Sequence, residues 1–327
     1  MTASPAVPPD VWEGHQRRLF RFSCHKRRTD RLIRWLSLAG LLTPRLARLQ
    51  SCHSWLLFRY EPQAGRLKLA NTRSCDLPLL CPLCAIRRAA RASSLYRERA
   101  ERLLKNDPEL RLSYAVLTVV NRPDLRERFE HLQKQARLLL ARRRAAESVG
   151  RGHRQFAYAQ ASSLAAAVAG AYSFEVKRGA NSREWHPHLN LLLLSKSLVQ
   201  EAALQREWQT LTGDSWIVYC RPRPAEVGTF VEIFKYALKF SDLTPADTWE
   251  VYQRLKGRRL QGSFGGFRGL KREKPSATTE ESSWSLLYRY WNGEFISDGI
   301  GGTTSFAGER FTDCHPQASA QHGIECR

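Results

Sequence analysis

The segment from Trp185 to Leu194, WHPHLNLLLL, constrains the fold of this 327-residue chain more than any other segment does. Its length and its leucine run are typical of a β-strand buried in a sheet. Side chains two residues apart on a strand point to the same face, so His186 and His188 are expected to leave one side of the sheet together. Because the following leucines anchor the strand in the core, the two imidazoles are held on a rigid element, close enough to bind one cation.

A second strand is predicted just before this one, at Tyr172 to Lys177, and the linker RGANSRE between them is turn-like, so the two strands predict a hairpin. If the turn centres on Asn181-Ser182, Glu175 lies opposite or diagonal to His186 and His188. Two histidines and a carboxylate suit a divalent metal that acts on a phosphate, either Mg²⁺ or Mn²⁺, and histidine ligands favour Mn²⁺ in binding strength. We therefore expect Glu175 to be the third ligand.

The elements around the hairpin predict an α+β fold with a central antiparallel sheet and flanking helices, in the order of a split βαβ core. The predicted elements are a strand at 113–121, a helix at 125–144, a small-residue helix that ends at Gly170, the hairpin, a helix at 198–211, a strand at 216–220 and a helix at 225–240. Further along, a small hairpin is predicted around Asn292-Gly293.

The charge of the chain points to a polyanionic partner. Lys and Arg number 52 against 31 Asp and Glu, which gives a net charge of +21. Release of counterions from neutralised phosphates drives the binding of such a surface to nucleic acid. No segment approaches the ~18 consecutive apolar residues that a membrane-spanning helix needs, and the N-terminus lacks a secretory pattern, so we expect a cytoplasmic protein with no membrane partner.

Four of the eight cysteines form a cluster that is typical of a metal site. Cys75, Cys81 and Cys84 lie close together, with Cys52 upstream. The Cys81-Pro-Leu-Cys84 knuckle is the usual half-site of tetrahedral zinc, so we predict a closed, structural zinc site. His53, next to Cys52, is the alternative to Cys52 as fourth ligand. The arginine-rich helix after the knuckle would then be positioned against a DNA backbone.

The segment VEIFKYALKF carries a candidate nucleophile. Helical spacing places Glu232 one turn before Tyr236, and Lys239 three residues after it. A phenol with its ordinary pKa of about 10 attacks at neutral pH only if a metal or a cation stabilises the phenolate. Lys235 and Lys239 supply positive charge, and Lys239 in particular can contact a phosphate.

Together these segments resemble the rolling-circle replication initiators of small bacterial plasmids, which belong to the HUH endonuclease superfamily. The matching segments occur in order: the strand YAVLTVVN, the hairpin FEVKRGANSREWHPHLNLLLL and the helix EIFKYALK, with the cysteine module upstream. The resemblance covers about Cys52 to Asp242, and Pro187 stands in the middle position of the histidine motif, as in the plasmid branch. It implies an HUH core related to the RRM fold.

The resemblance also implies roles for these residues. His186 and His188 would bind the metal, Tyr236 would be the nucleophile that joins the 5′ end of a nicked single strand, and Glu232 would activate water for termination. The DNA would be the double-strand origin of a plasmid, with host helicase and polymerase as partners. The family often has a third histidine where this chain has Asn190, so Asn190 stays an alternative to Glu175 as third ligand.

Two other functions fit part of the sequence. A transposase or relaxase of the same superfamily would share the histidines, but transposases frequently carry a second tyrosine where this chain has Glu232. A non-catalytic zinc protein that represses by binding DNA would explain the charge and the cysteines alone. The predicted segments are a basic N-terminal arm at 1–50, the zinc module with its arginine-rich helix at 51–108, the nicking domain at 109–245, and an extension with a disordered tail at 246–327.

Overall fold

A computed structural model of the chain describes residues 8–150, 162–179, 182–225, 229–230, 240, 242–269 and 285–301. The chain divides into two compact units, one made of Met1–Leu77 with Pro275–Arg327, the other of Pro78–Lys274. This grouping differs from the four consecutive segments that the sequence predicts, because the first unit combines the two ends of the chain. Within the described residues, no helix is long and apolar enough to cross a membrane.

In chain order the described helices and strands are α1 (Pro9–Leu38), α2 (Pro44–Ala47), β1 (Trp55–Glu61), β2 (Arg66–Thr72), α3 (Pro82–Asn106), β3 (Arg111–Thr118), α4 (Leu125–Gly150), β4 (Ala167–Arg178), β5 (Trp185–Ser195), α5 (Glu201–Thr212), β6 (Val218–Pro222), α6 (Pro245–Leu255), β7 (Gln261–Gly265), β8 (Ser285–Trp291) and β9 (Glu294–Gly301). A single 3-10 turn at Pro62–Ala64 separates β1 from β2.

The first unit contains an antiparallel sheet with the strand order β2-β1-β8-β9. Asn292 and Gly293 connect β8 to β9 with positive φ angles of 46° and 92°. An Asn-Gly pair tolerates this backbone, which matches the twist of a two-residue hairpin, and the predicted hairpin is confirmed. Leu19 of α1 packs with Leu56, Phe58 and other buried side chains of the sheet.

The second unit contains a five-stranded sheet with the order β6-β3-β5-β4-β7 and antiparallel pairing throughout. The histidine strand β5 is the middle strand. Its leucines alternate between two cores: Leu191 and Leu193 pack with residues of α4, α5 and α6, whereas Leu192 and Leu194 pack with residues of α3. The chain is therefore an α+β protein with two antiparallel sheets, and the predicted central antiparallel sheet with flanking helices is confirmed at this level.

The helix predicted to end at Gly170 is wrong in its described part, since residues 163–166 form turns and β4 begins at Ala167. Alanine favours helices, but tertiary packing overrides that preference here. Gly170 pairs with Phe264 of β7, and a Cβ at Gly170 would lie 2.2 Å from the Cζ of Phe264. The small residues of this segment allow the strand to pack closely against the neighbouring strand. The rest of the predicted helix, up to residue 161, lies outside the described residues.

Candidate functional site

The predicted hairpin is confirmed, and it forms the middle of the sheet. Glu175 of β4 lies directly opposite His188 of β5, and Lys177 lies opposite His186. The two imidazole rings are neighbours, with centroids 5.6 Å apart. This arrangement confirms that the histidines share one face and that the carboxylate is on the paired strand. We refer to His186, His188 and Glu175 as the HHE cluster.

Glu175 is held by two hydrogen-bonding partners. Its Oε2 lies 3.1 Å from Nε2 of His188 and 3.3 Å from Nδ2 of Asn190. Burial opposes ionisation of this carboxyl group, but the hydrogen bonds from His188 and Asn190 outweigh burial and keep the pKa of Glu175 below its usual value. The group is therefore an anion at neutral pH, which is the form that binds a metal cation.

Asn190 supports this carboxylate and turns its own oxygen to another residue. The Tyr114 hydroxyl, on β3, donates to Oδ1 of Asn190 at 2.9 Å, and the amide of Asn190 then donates to Glu175. Asn190 is 1% exposed. An amide that presents its N–H groups to the cluster is not arranged as a metal ligand, since N–H groups donate and do not coordinate. Of the two alternatives left open by the sequence, the geometry favours Glu175.

His186 is oriented by a residue that the sequence reasoning missed. Asn121, three residues after the end of β3, places its Oδ1 2.6 Å from Nδ1 of His186. Because a carbonyl oxygen only accepts, Nδ1 carries the hydrogen and the lone pair stays on Nε2. Burial lowers the pKa of His186 to about 4, with smaller contributions from His188 and Lys177. The imidazole is thus neutral and has one nitrogen available for a metal, as in ligands fixed by an outer hydrogen bond.

His188 is more deeply buried, with 6% exposure, and its Nδ1 has no hydrogen-bond partner among the described residues. Its Nε2 lies 3.1 Å from Oε2 of Glu175, a hydrogen-bonding distance. In the described part of the chain, the HHE cluster is not among the groups whose ligand atoms all lie within 4.8 Å of one another. Two imidazoles and a carboxylate are donors that a divalent cation can take.

Cys52 and His53 of the first unit are buried next to each other, with Nδ1 of His53 2.8 Å from the Cys52 sulfur. Cys81 and Cys84 of the second unit are also buried. Sulfur and imidazole donors suit zinc, so these buried residues could bind such a metal.

Local folding explains part of this cluster. Cys81 is the N-cap residue of α3, and Cys84 follows in the first turn, so the knuckle brings both sulfurs to the start of the helix. Cys75 is 1% exposed, and its backbone N–H donates to the Cys52 sulfur at 3.2 Å. Cys52 and His53, the two alternatives that the sequence leaves open for the fourth ligand, are both buried.

Tyr236, Glu232 and Lys239 of the predicted nucleophile helix lie outside the described residues. The nearest described residue before them is Phe230, which is fully buried with Leu192 and Leu194 of β5. Side chains two residues apart on a strand share a face. Those leucines therefore lie on the same face of β5 as His186, His188 and Asn190.

Comparisons with known proteins do not assign a family to this chain. No protein-family model matches it, and neither the characterised proteins nor the solved structures contain a significant match.

Proposed function

We propose that this chain is a metal-dependent DNA-nicking enzyme that initiates rolling-circle replication of a plasmid through a tyrosine–DNA intermediate. The observation that carries the proposal is the HHE cluster: two neighbouring histidines on the middle strand, with an ionised carboxylate opposite one of them. Two imidazoles together with a carboxylate leave coordination positions for a phosphate oxygen.

The position of Phe230 supports Tyr236 as the nucleophile. Phe230 packs on the face of β5 that carries the HHE cluster, and Tyr236 follows it by six residues. The net charge of +21 supports a DNA substrate, because that surplus attracts a phosphate backbone.

The HHE cluster would hold the metal, Mg²⁺ or Mn²⁺, which supplies Lewis-acid polarisation of the scissile phosphate when bound. Side chains carry out the other chemical steps. The Tyr236 oxygen attacks phosphorus and forms a phosphotyrosyl bond at the 5′ end. The bond from phosphorus to the 3′ oxygen breaks at the same time. The phenolic proton passes to solvent, and the 3′ oxygen takes up a proton and leaves as a hydroxyl. Lys239 stabilises the charge that develops on the phosphate.

Glu232 is proposed to end the cycle. As a general base it removes a proton from water, which attacks the second phosphodiester bond, and the product is released by hydrolysis. A second tyrosine at this position would exchange one covalent DNA link for another. We therefore expect Glu232→Ala to form the Tyr236 adduct but to accumulate products longer than unit length, as gel analysis of replication products would reveal.

DNA recognition is assigned to the basic surfaces outside the HHE cluster. Arg17, Arg21 and Arg31 of α1 are exposed, and Arg88 and Arg91 lie on the exposed side of α3, directly after the cysteine knuckle. We propose that Cys75, Cys81 and Cys84, with Cys52 or His53 as the fourth ligand, hold a structural zinc ion. Host helicase and DNA polymerase are the partners that a plasmid initiator requires, and the cytoplasm is the compartment where they act.

A cleavage experiment tests the proposal. The protein is incubated with Mn²⁺ and a 5′- or 3′-labelled single strand from a candidate origin, and nicking and the covalent adduct are followed on denaturing gels. We expect His186→Ala and His188→Ala to abolish nicking while duplex binding is retained, and Tyr236→Phe to abolish the adduct. His131→Gln, a histidine of α4 outside the HHE cluster, is the matched control and should nick normally. Full nicking by the double histidine variant would refute the metal site.

The same assay separates the alternatives. A zinc-containing repressor would bind duplex DNA and give no cleavage with any variant. A transposase or relaxase would nick and transfer strands but would not depend on Glu232 for termination.

A further inference from the structure

We propose that a cavity beside His186 is a subsite for one unpaired nucleobase of the DNA strand, and that Trp216 is the residue on which the base stacks. The cavity has a volume of about 350 Å³, and His186 and Asn121 line one part of it. That volume is at the lower end of the ~300–1,000 Å³ that small-molecule sites occupy, so it suits one ring system. The inference rests on the proposed function, since it assigns a part of the DNA substrate to the same site.

Exposed apolar side chains also line the cavity. Trp216 is 53% exposed and Ile217 is 64% exposed, although both are large and consecutive in the chain. Val120, another lining residue, is 37% exposed. Exposed apolar surface of this size beside a candidate metal ligand is typical of a binding site, because folding alone gains nothing from it.

The backbone around the cavity is fixed, so the subsite is formed before any ligand binds. Both the backbone N–H and the hydroxyl of Thr118 donate to the carbonyl of Ile217, at 3.2 and 3.1 Å. The N–H of Val120 donates to the Ser215 hydroxyl at 2.9 Å, and the indole N–H of buried Trp208 donates to the carbonyl of Thr118 at 2.7 Å. These bonds tie the end of β3 to the segment that carries Trp216 and limit the ordering cost of binding.

Charge in the cavity decides which part of a nucleotide enters. Glu184 and Asp214 both line it. Asp214 is bonded to the buried Arg128 at 2.7 Å, so its charge is compensated, but Glu184 presents a half-buried carboxylate. A phosphate is repelled by a carboxylate, whereas a neutral base is accepted and its exocyclic amino group can donate to an acidic side chain. The base therefore occupies the cavity, and the phosphate stays outside it.

The test measures binding of single strands without cleavage. Fluorescence anisotropy in the presence of a chelator compares oligo(dT) and oligo(dA) with an abasic polymer of equal length and equal charge. We expect Trp216→Ala to weaken binding of the base-containing strands by roughly 5- to 150-fold, the range for loss of one stacked base, and to leave affinity for the abasic polymer unchanged. Trp216→Phe should recover most of the affinity because it keeps an aromatic face.

Trp291→Ala is the matched control, since Trp291 is 61% exposed and does not line the cavity. The subsite is refuted if Trp216→Ala binds oligo(dT) like the wild type, if the variant loses equal affinity for the abasic polymer, or if Trp291→Ala has the same effect. The proposed function is judged separately by nicking in Mn²⁺. If the wild type nicks in Mn²⁺ and Trp216→Ala binds single strands normally, only the subsite is refuted. If Trp216→Ala binds base-containing strands more weakly but the wild type does not nick, only the enzymatic function is refuted.

Discussion

Replacement of Asn121 by alanine is expected to weaken metal binding at the HHE cluster without touching a ligand. The variant loses the acceptor 2.6 Å from Nδ1 of His186. The bond itself is worth about 0.5–1.5 kcal/mol. Without it the ring can rotate and the hydrogen can move to Nε2, the nitrogen that must coordinate. Loss of such an outer hydrogen bond lowers metal affinity by about 10- to 100-fold, equivalent to about 1.4–2.7 kcal/mol.

The assay is titration of the purified protein with Mn²⁺, in which electron paramagnetic resonance reports the free ion. Asn121→Asp is the control, because it retains an acceptor at the same position and should bind Mn²⁺ at least as tightly as the wild type. Wild-type affinity in Asn121→Ala would show that the outer bond does not orient a ligand. Equal losses in both variants would show that amide packing matters and the acceptor does not.

Three further changes have defined outcomes. Tyr114→Phe leaves Oδ1 of buried Asn190 without its 2.9 Å donor, so the second unit should lose about 1–3 kcal/mol of stability, measured by urea unfolding. Cys81→Ser should lower the zinc content, measured by elemental analysis, and the midpoint temperature of thermal unfolding. Wild-type protein that is active without zinc would contradict the proposed structural zinc site. Burial, and then the charge of Arg18, lower the pKa of His15 from 6.5 to about 4. Between these two pH values the unfolded state binds more protons than the folded state, so the stability of the fold decreases as the pH falls from 6.5 to 4. At pH 5 the loss relative to neutral pH is about 2 kcal/mol, and His15→Gln should remove that part of the pH dependence in unfolding experiments.

The HHE cluster illustrates what could be predicted from local pattern. Alternation along WHPHLNLLLL places both histidines on one face, and a hairpin with a short linker brings Glu175 opposite His188. Both inferences need only the period of a strand and the length of a turn. The choice between Glu175 and Asn190 could not be made in this way, because it depends on the Tyr114 hydroxyl, which comes from another strand.

The second unit also contains the clearest failure of local reasoning. The alanines before Gly170 favour a helix by propensity, but the pairing of β4 with β5 and β7 makes Ala167 and Ala169 part of a strand. Asn121 and Trp216 were missed for a related reason. Each follows or precedes a strand, with no periodic pattern of its own, and its role comes from contact with residues far away in sequence.

The sequence by itself determined the α+β class, the histidine strand, its hairpin partner, the Asn292-Gly293 turn and the clustering of cysteines, because these features are set by neighbours a few residues apart. Only the tertiary structure decided that β1 pairs with β8, and thereby that the two ends of the chain form one unit. It also decided that the side chain of Asn121 lies against His186. The physical reason is the same in each case: long-range pairing is selected by the burial and hydrogen bonding of the whole fold, which no local periodicity records.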